Sequence, residues 1–241
     1  MKIKLFGNNF TFQNFREFLL IYKDIFIYNE YNFSSSKKKP FIIDCGAHIG
    51  IPLIYFKRKY PDAVIEAFEA NPRTYTLLNK NVNDNELRNV SLHNAALASK
   101  KGKINFYTHK FGWTWGDAGV KNSWYSKKTY RTISVPSLKL SSYINKRVDL
   151  LKIDIEGMEV EVIYEIRSKL HLVSEIIIEF HGSKTNKNNS IDKLLSILDK
   201  YKFSYTINAP ITIFNMFNRS FSLNKEKMKD PYFLIIKAKQ K

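Results

Sequence analysis

Apolar positions first recur at helical spacing near the N-terminus, where Phe15, Phe18, Leu19, Tyr22 and Ile25 predict a helix over roughly 13–25. Residues 29–39 are polar, Ser-rich and basic, and they read as a linker. From Pro40 onward, short apolar runs alternate with helical stripes. A strand at 41–44 leads into Cys45-Gly46-Ala47-His48-Ile49-Gly50, and a helix starts near Pro52, because proline is tolerated in a first turn. A second strand at 64–68 precedes a helix opened by Pro72, with Tyr75, Leu78 and Val82 on one face. A third strand is expected at 90–95, and 102–108 with 131–135 read as an antiparallel pair around a long loop. A fourth strand at 149–153 runs through Ile155-Glu156-Gly157 into a helix bearing Val162, Ile163, Ile166 and Leu170. A fifth strand at 175–180 follows. Next comes a helix over about 190–201 with Ser190 as N-cap and Ile191, Leu194, Leu195 and Leu198 buried. Strands at 203–207 and 233–237 finish the chain.

This alternation predicts a doubly wound α/β fold: a mostly parallel, seven-stranded, Rossmann-like sheet with an antiparallel last strand. Residues 1–39 form a short helical N-terminal extension and linker, and 40–241 form the main domain.

Composition narrows the class. The chain has 241 residues, 44% hydrophobic and 25% charged, which suits a packed domain rather than disorder. Cys45 is the one cysteine, so no intramolecular disulfide forms, and a reducing, cytoplasmic compartment is expected. The start lacks the apolar core of a signal peptide, and no run is long enough to span a membrane. The 39 basic and 22 acidic residues give a net charge of +17. That balance suits an anionic partner, such as nucleic acid or a phosphosugar, or a general enrichment in lysine; the lysines are mostly scattered.

The most specific local signal is Asp44-x-Gly46-Ala47-x-x-Gly50 between a strand and a helix. Gly46 permits a sharp turn close to a ligand, and Gly50 permits close helix–strand packing. Only G-x-x-x-G is present, so the G-x-G-x-x-G dinucleotide pattern is not met. A carboxylate at Asp44 would repel a pyrophosphate but tolerate a cationic nucleoside such as S-adenosylmethionine. Glu69, ending the second strand, is placed to accept ribose hydroxyls.

Together, 44–50, Phe68-Glu-Ala-Asn-Pro72 and Leu150-Leu-Lys-Ile-Asp-Ile-Glu-Gly-Met-Glu159 resemble the FkbM-type family of class I methyltransferases. The likeness covers about 40–182 and, more weakly, 24–31. His48 stands where that family commonly has Asn, and Ala70 where Pro is usual. The resemblance implies an S-adenosylmethionine cofactor and O-methylation of a hydroxyl, often on a sugar or natural product. It implies that Asp44 and Gly46, with Ala47, His48 and Gly50 in the same turn, lie near the methionine moiety. Glu69 would hold the ribose with Asn71 beside it, and Asn94 and Ala95 would border the adenine.

Acceptor chemistry belongs beyond the carboxyl ends of the fourth and fifth strands, where such folds bind ligands. Asp154 and Glu156, then Glu179 and His181, follow those strands. The candidate catalytic set is Asp154, Glu179, His181 and Lys152, with Asp154 as base or metal ligand and Glu156 either there or capping the next helix. Asp154, Glu179 and His181 also form the residue set that a divalent metal would use, although no compact spacing marks a site. His93, His109 and His171 do not cluster. The loop 110–130 holds Trp113, Trp115, Trp124, Tyr125 and Tyr130 with Lys121, Lys127 and Lys128, a composition for a sugar-binding lid or for packing. The expected partner is a small-molecule or glycan acceptor, neutral or anionic. RNA methylation and a non-catalytic nucleotide-binding protein are the alternatives.

Overall fold

A computed structural model describes residues 1–109, 117–120, 130–208 and 232–241. The chain opens with a hairpin, β1 (Lys2–Leu5) and β2 (Asn8–Thr11), followed by α1 (Phe15–Tyr22) and one π-helical turn over Lys23–Ile27. The main sheet uses β3 (Phe41–Cys45), β4 (Val64–Phe68), β5 (Val90–His93), β9 (Val148–Ile153), β10 (Val173–Gly182), β11 (Phe203–Asn208) and β12 (Tyr232–Gln240). Their order is β11-β12-β10-β9-β3-β4-β5. β3, β4, β5, β9 and β10 run parallel, and β12 inserts antiparallel between β10 and β11. The helices α2 (Ile51–Lys59), α3 (Pro72–Asp84), α4 (Glu159–Glu165) and α5 (Ile191–Lys200) cover it. This is the predicted seven-stranded doubly wound sheet with an antiparallel last strand.

The central strands show why. β3 and β9 are buried at every position, as befits parallel strands covered on both faces. One apolar cluster lies under α4 and α5, and a second joins α2 and α3 to Phe10, Phe12, Phe18 and Ile25 of the N-terminal segment. A smaller sheet, order β6-β8-β7, is built from β6 (Ala96–Leu97), β7 (Gly102–His109) and β8 (Tyr130–Leu138), with β7 and β8 antiparallel as expected.

Several boundaries differ from the sequence expectation. The third strand ends at His93, so Asn94 and Ala95 lie in the loop beyond it. The fifth strand runs on through His181. Ser190 occupies the N-cap position of α5, but its side chain makes no capping hydrogen bond. The hairpin was not anticipated, because two four-residue strands around Phe6-Gly7 give too short a pattern. Its backbone is tied to α3: Asn81 Oδ1 accepts from the Thr11 N–H at 2.6 Å and Asn85 Oδ1 from the Asn9 N–H at 2.7 Å. Within 29–39, Tyr31 and Phe33 are buried despite the polar composition around them. Apart from Tyr130, which opens β8, the aromatic and lysine residues singled out in the 110–130 loop lie outside the described residues.

Candidate active site

A cleft opens at the carboxyl ends of β3, β4, β9 and β10. It is lined among others by Gly46, His48, Glu69, Ala95, Lys152, Asp154 and Glu179 from the predicted set. Gly46 turns with φ 87°, and a Cβ there would lie 1.8 Å from the Asp154 carbonyl oxygen, so only glycine lets the two strand ends pass. Glu69, at the end of β4, accepts the His48 N–H at 3.0 Å and the Asn71 N–H at 2.8 Å. Burial pushes its carboxyl above the usual range, and nearby His48 and the two backbone donors limit the rise. His48 stands at φ 51° and places Nε2 3.4 Å from the buried Glu17 carboxylate of α1. Burial works against its charge, and Glu17, Glu69 and Asp154 together outweigh it, so the imidazole titrates above its ordinary value.

Beneath the cleft, Lys152 is buried on β9. Its Nζ lies 3.1 Å from Asp44 Oδ1 and 3.3 Å from Asp154 Oδ2, and it donates to the Gly46 carbonyl at 2.6 Å. Burial opposes its charge, but Asp44 and Asp154 hold the ammonium above the ordinary lysine range. Asp44 is fully buried and pairs with Lys152, which itself lines the cleft. Burial raises its carboxyl, and Lys152 opposes the rise.

The other predicted positions serve the frame. Ala47 is buried in the core, and Gly50 (φ 89°) packs on Leu78, where a Cβ would meet Cδ1 at 2.8 Å. Asn71 caps α3 by accepting the Arg73 N–H at 2.9 Å, and its Nδ2 donates to Asp117 at 2.6 Å. Asn94 Nδ2 donates to the Glu69 carbonyl at 2.8 Å, bracing the turn after β4. None of these four, nor Asp44 or His181, lines the cleft directly.

The end of the cleft at β9 and β10 gathers more acids than the sequence pattern places there. Asp24, Glu30 and Tyr31 arrive from the N-terminal segment and line the cleft with Glu156. The Tyr31 hydroxyl donates to Glu179 at 3.2 Å and lies 3.4 Å from Asp154. Burial, then Glu179 and Asp24, push Glu30 to about 8, and burial lifts Asp24 to about 6. Glu156, held at φ 54°, does not cap a helix, because α4 starts at Glu159 with Met158 as its N-cap. Burial raises its carboxyl to about 8, against the nearby His181. His181 sits behind it, with Nε2 3.5 Å from Glu156 and 3.6 Å from Glu179 and Nδ1 3.1 Å from Glu159. Asp154, Glu156 and His181 present ligand atoms within 4.8 Å of one another. The faint signal for Tyr31 and its neighbours was the weak resemblance over 24–31; their polar surroundings otherwise hid them.

Residues 44–205 match the methyltransferase FkbM domain, more than half of the chain. The chain belongs to the FkbM methyltransferase family. Curated relatives of this FkbM-family methyltransferase include methyltransferase sdnD of Sordaria araneosa, 30% identical over 66% of this chain and 73% of that protein. Hexuronic acid methyltransferase AglP of Haloferax volcanii is 31% identical over 64% of this chain and 60% of AglP. Among solved structures, a methyltransferase FkbM from Methylobacillus flagellatus aligns with TM-score 0.54 and 13% identity over 90% of this chain. The chain spans 47% of that protein's length. TYW2 of M. jannaschii, solved in complex with AdoMet, aligns with TM-score 0.51 and 13% identity over 99% of this chain and 84% of that one. These two likenesses concern the fold, the same doubly wound sheet that carries the cleft.

Proposed function

We propose that this FkbM-family methyltransferase uses S-adenosylmethionine to methylate a hydroxyl on a sugar or similar small hydroxylated acceptor. The observation that carries the reading is Glu69. Its carboxylate ends a parallel strand beside the cleft, held by two backbone N–H groups. Such a fixed acceptor suits ribose hydroxyls. Gly46 lines the cleft where the β3 turn passes against the Asp154 carbonyl, which fixes the two strand ends that face a ligand. Gly46, His48, Glu69 and Ala95 would hold the cofactor, while Asp44, Lys152, Asn71 and Asn94 position the loops that carry them. When bound, the cofactor supplies an electrophilic methyl group.

The chain's own work lies at the other end. A sugar hydroxyl is a weak nucleophile, and a base that takes its proton accelerates transfer. Asp154, the most exposed carboxylate of the Asp154–Glu156–Glu179 group, is that base. Tyr31 fixes Glu179 beside it. The naming of AglP as a hexuronic acid methyltransferase supports a sugar acceptor. Among the described residues, this end is lined by carboxyl groups and by one lysine already paired with Asp44 and Asp154, so it offers little to a nucleic-acid backbone and the RNA alternative is disfavoured despite the +17 charge. Incubation with S-adenosylmethionine and a panel of oligosaccharides, read by mass spectrometry, tests the reading. A gain of one methyl group, lost in Asp154→Asn, is expected; methylation of RNA but of no sugar would contradict it.

A further inference from the structure

We propose that Asp154, Glu156 and His181 form a divalent-cation site in the wall of the cleft, with Glu179 as a fourth side chain in reach. Three elements converge there: the end of β9, the turn before α4 and the end of β10. The set is mixed, one imidazole with two or three carboxylates, which suits magnesium or a first-row divalent ion rather than a soft one.

Two further observations point the same way. His181 Nε2 stands 3.5 Å from Glu156 Oε2 and 3.6 Å from Glu179 Oε1. Those gaps exceed a good N–H···O bond of about 2.7–3.2 Å. They approach the roughly 3.0–3.5 Å that separates neighbouring ligands when each lies about 2.1 Å from one ion. On the far side of the ring, Nδ1 faces Glu159 Oε1 at 3.1 Å. Glu159 is itself fully buried, accepting from the Gly157 N–H at 2.9 Å and from Asn189 Nδ2 at 2.6 Å. A buried carboxylate that orients one nitrogen of a histidine so that the other faces outward is the usual outer support of a metal ligand. Lys152, a nearby cation, is shared by Asp44, the Gly46 carbonyl and, at 3.3 Å, one oxygen of Asp154.

With an ion bound here, Asp154 would act as its ligand rather than as a free base, and the ion would lower the pKa of an acceptor oxygen in its place. That role rests on the methyl-transfer reading above, but the site's existence does not, so the test omits cofactor and acceptor. The full chain, stripped with EDTA, is titrated with manganese(II), and free ion is read by electron paramagnetic resonance. Saturable uptake of about one ion per chain is expected. It should weaken at least tenfold in His181→Ala and Glu156→Gln and about tenfold in Glu159→Gln. His93→Ala, at β5, should retain it. Should His181→Ala fold poorly, the manganese-induced rise in melting temperature, present in the wild type and absent in Glu156→Gln, carries the test. No saturable uptake by the wild type, or equal uptake by Glu156→Gln, overturns the proposal.

Discussion

The Gly46 backbone sets the geometry of the whole site, since its missing Cβ is what lets the Asp154 carbonyl approach. Gly46→Ala should therefore destabilise the protein by more than about 2 kcal/mol, read by urea unfolding, because both the clash and the positive φ oppose it. Asp117 offers a residue-scale test of the electrostatics. Burial lifts its carboxyl to about 7, against the hydrogen bond from Asn71. A group whose folded pKa is raised stabilises the protein fully below the unfolded value and loses that contribution as pH rises through the folded one. Between pH about 4 and about 7 the wild type should lose stability that Asp117→Asn keeps. Parallel melting curves for the two proteins across that window would contradict the assignment. Sequence motifs pointed to Gly46, Glu69, Lys152 and Asp154 because strand ends and turns leave local signatures. Glu30 and Tyr31 leave only the weak resemblance over 24–31 and Asp117 leaves none, since their burial depends on partners far along the chain.

At the scale of elements, the strands and helices of the main sheet were legible because each carries its own apolar period. The N-terminal hairpin was not, since its four-residue strands gain stability only by docking on α3 and packing Phe10 against Phe18 and Tyr22. Phe10→Ala should cost about 3–5 kcal/mol, as for a buried aromatic. Phe6→Ala, at the exposed hairpin turn, should stay within about 0.5 kcal/mol. The segment after α1 does more than connect, because Tyr31 reaches Glu179 and Asp154 in the cleft. Tyr31→Phe removes a hydrogen bond to carboxylate worth about 1.5–3 kcal/mol. Turnover should fall roughly ten- to a hundredfold with cofactor affinity unchanged; a loss of affinity alone would place Tyr31 with the cofactor instead.

For the molecule as a whole, the sheet order brings the ends of β3 and β4 together on one side of the cleft and the ends of β9 and β10 on the other. The first pair presents a single held carboxylate, Glu69, and the second an acidic cluster, and this division fits one cationic nucleoside and one hydroxylated acceptor. The positive net charge suggested an anionic partner, yet the cleft is acidic where that partner would react, because composition averages over surfaces that the fold separates. No helix among the described residues is long and apolar enough to cross a membrane. Everything functional turns on Glu69 holding a nucleoside. Calorimetric titration of S-adenosylhomocysteine into the wild type and Glu69→Gln tests this most directly. One molecule should bind per wild-type chain, about ten- to a hundredfold more weakly in the variant, which also loses one of the two backbone N–H bonds that hold the side chain; equal affinity in the two proteins would contradict it.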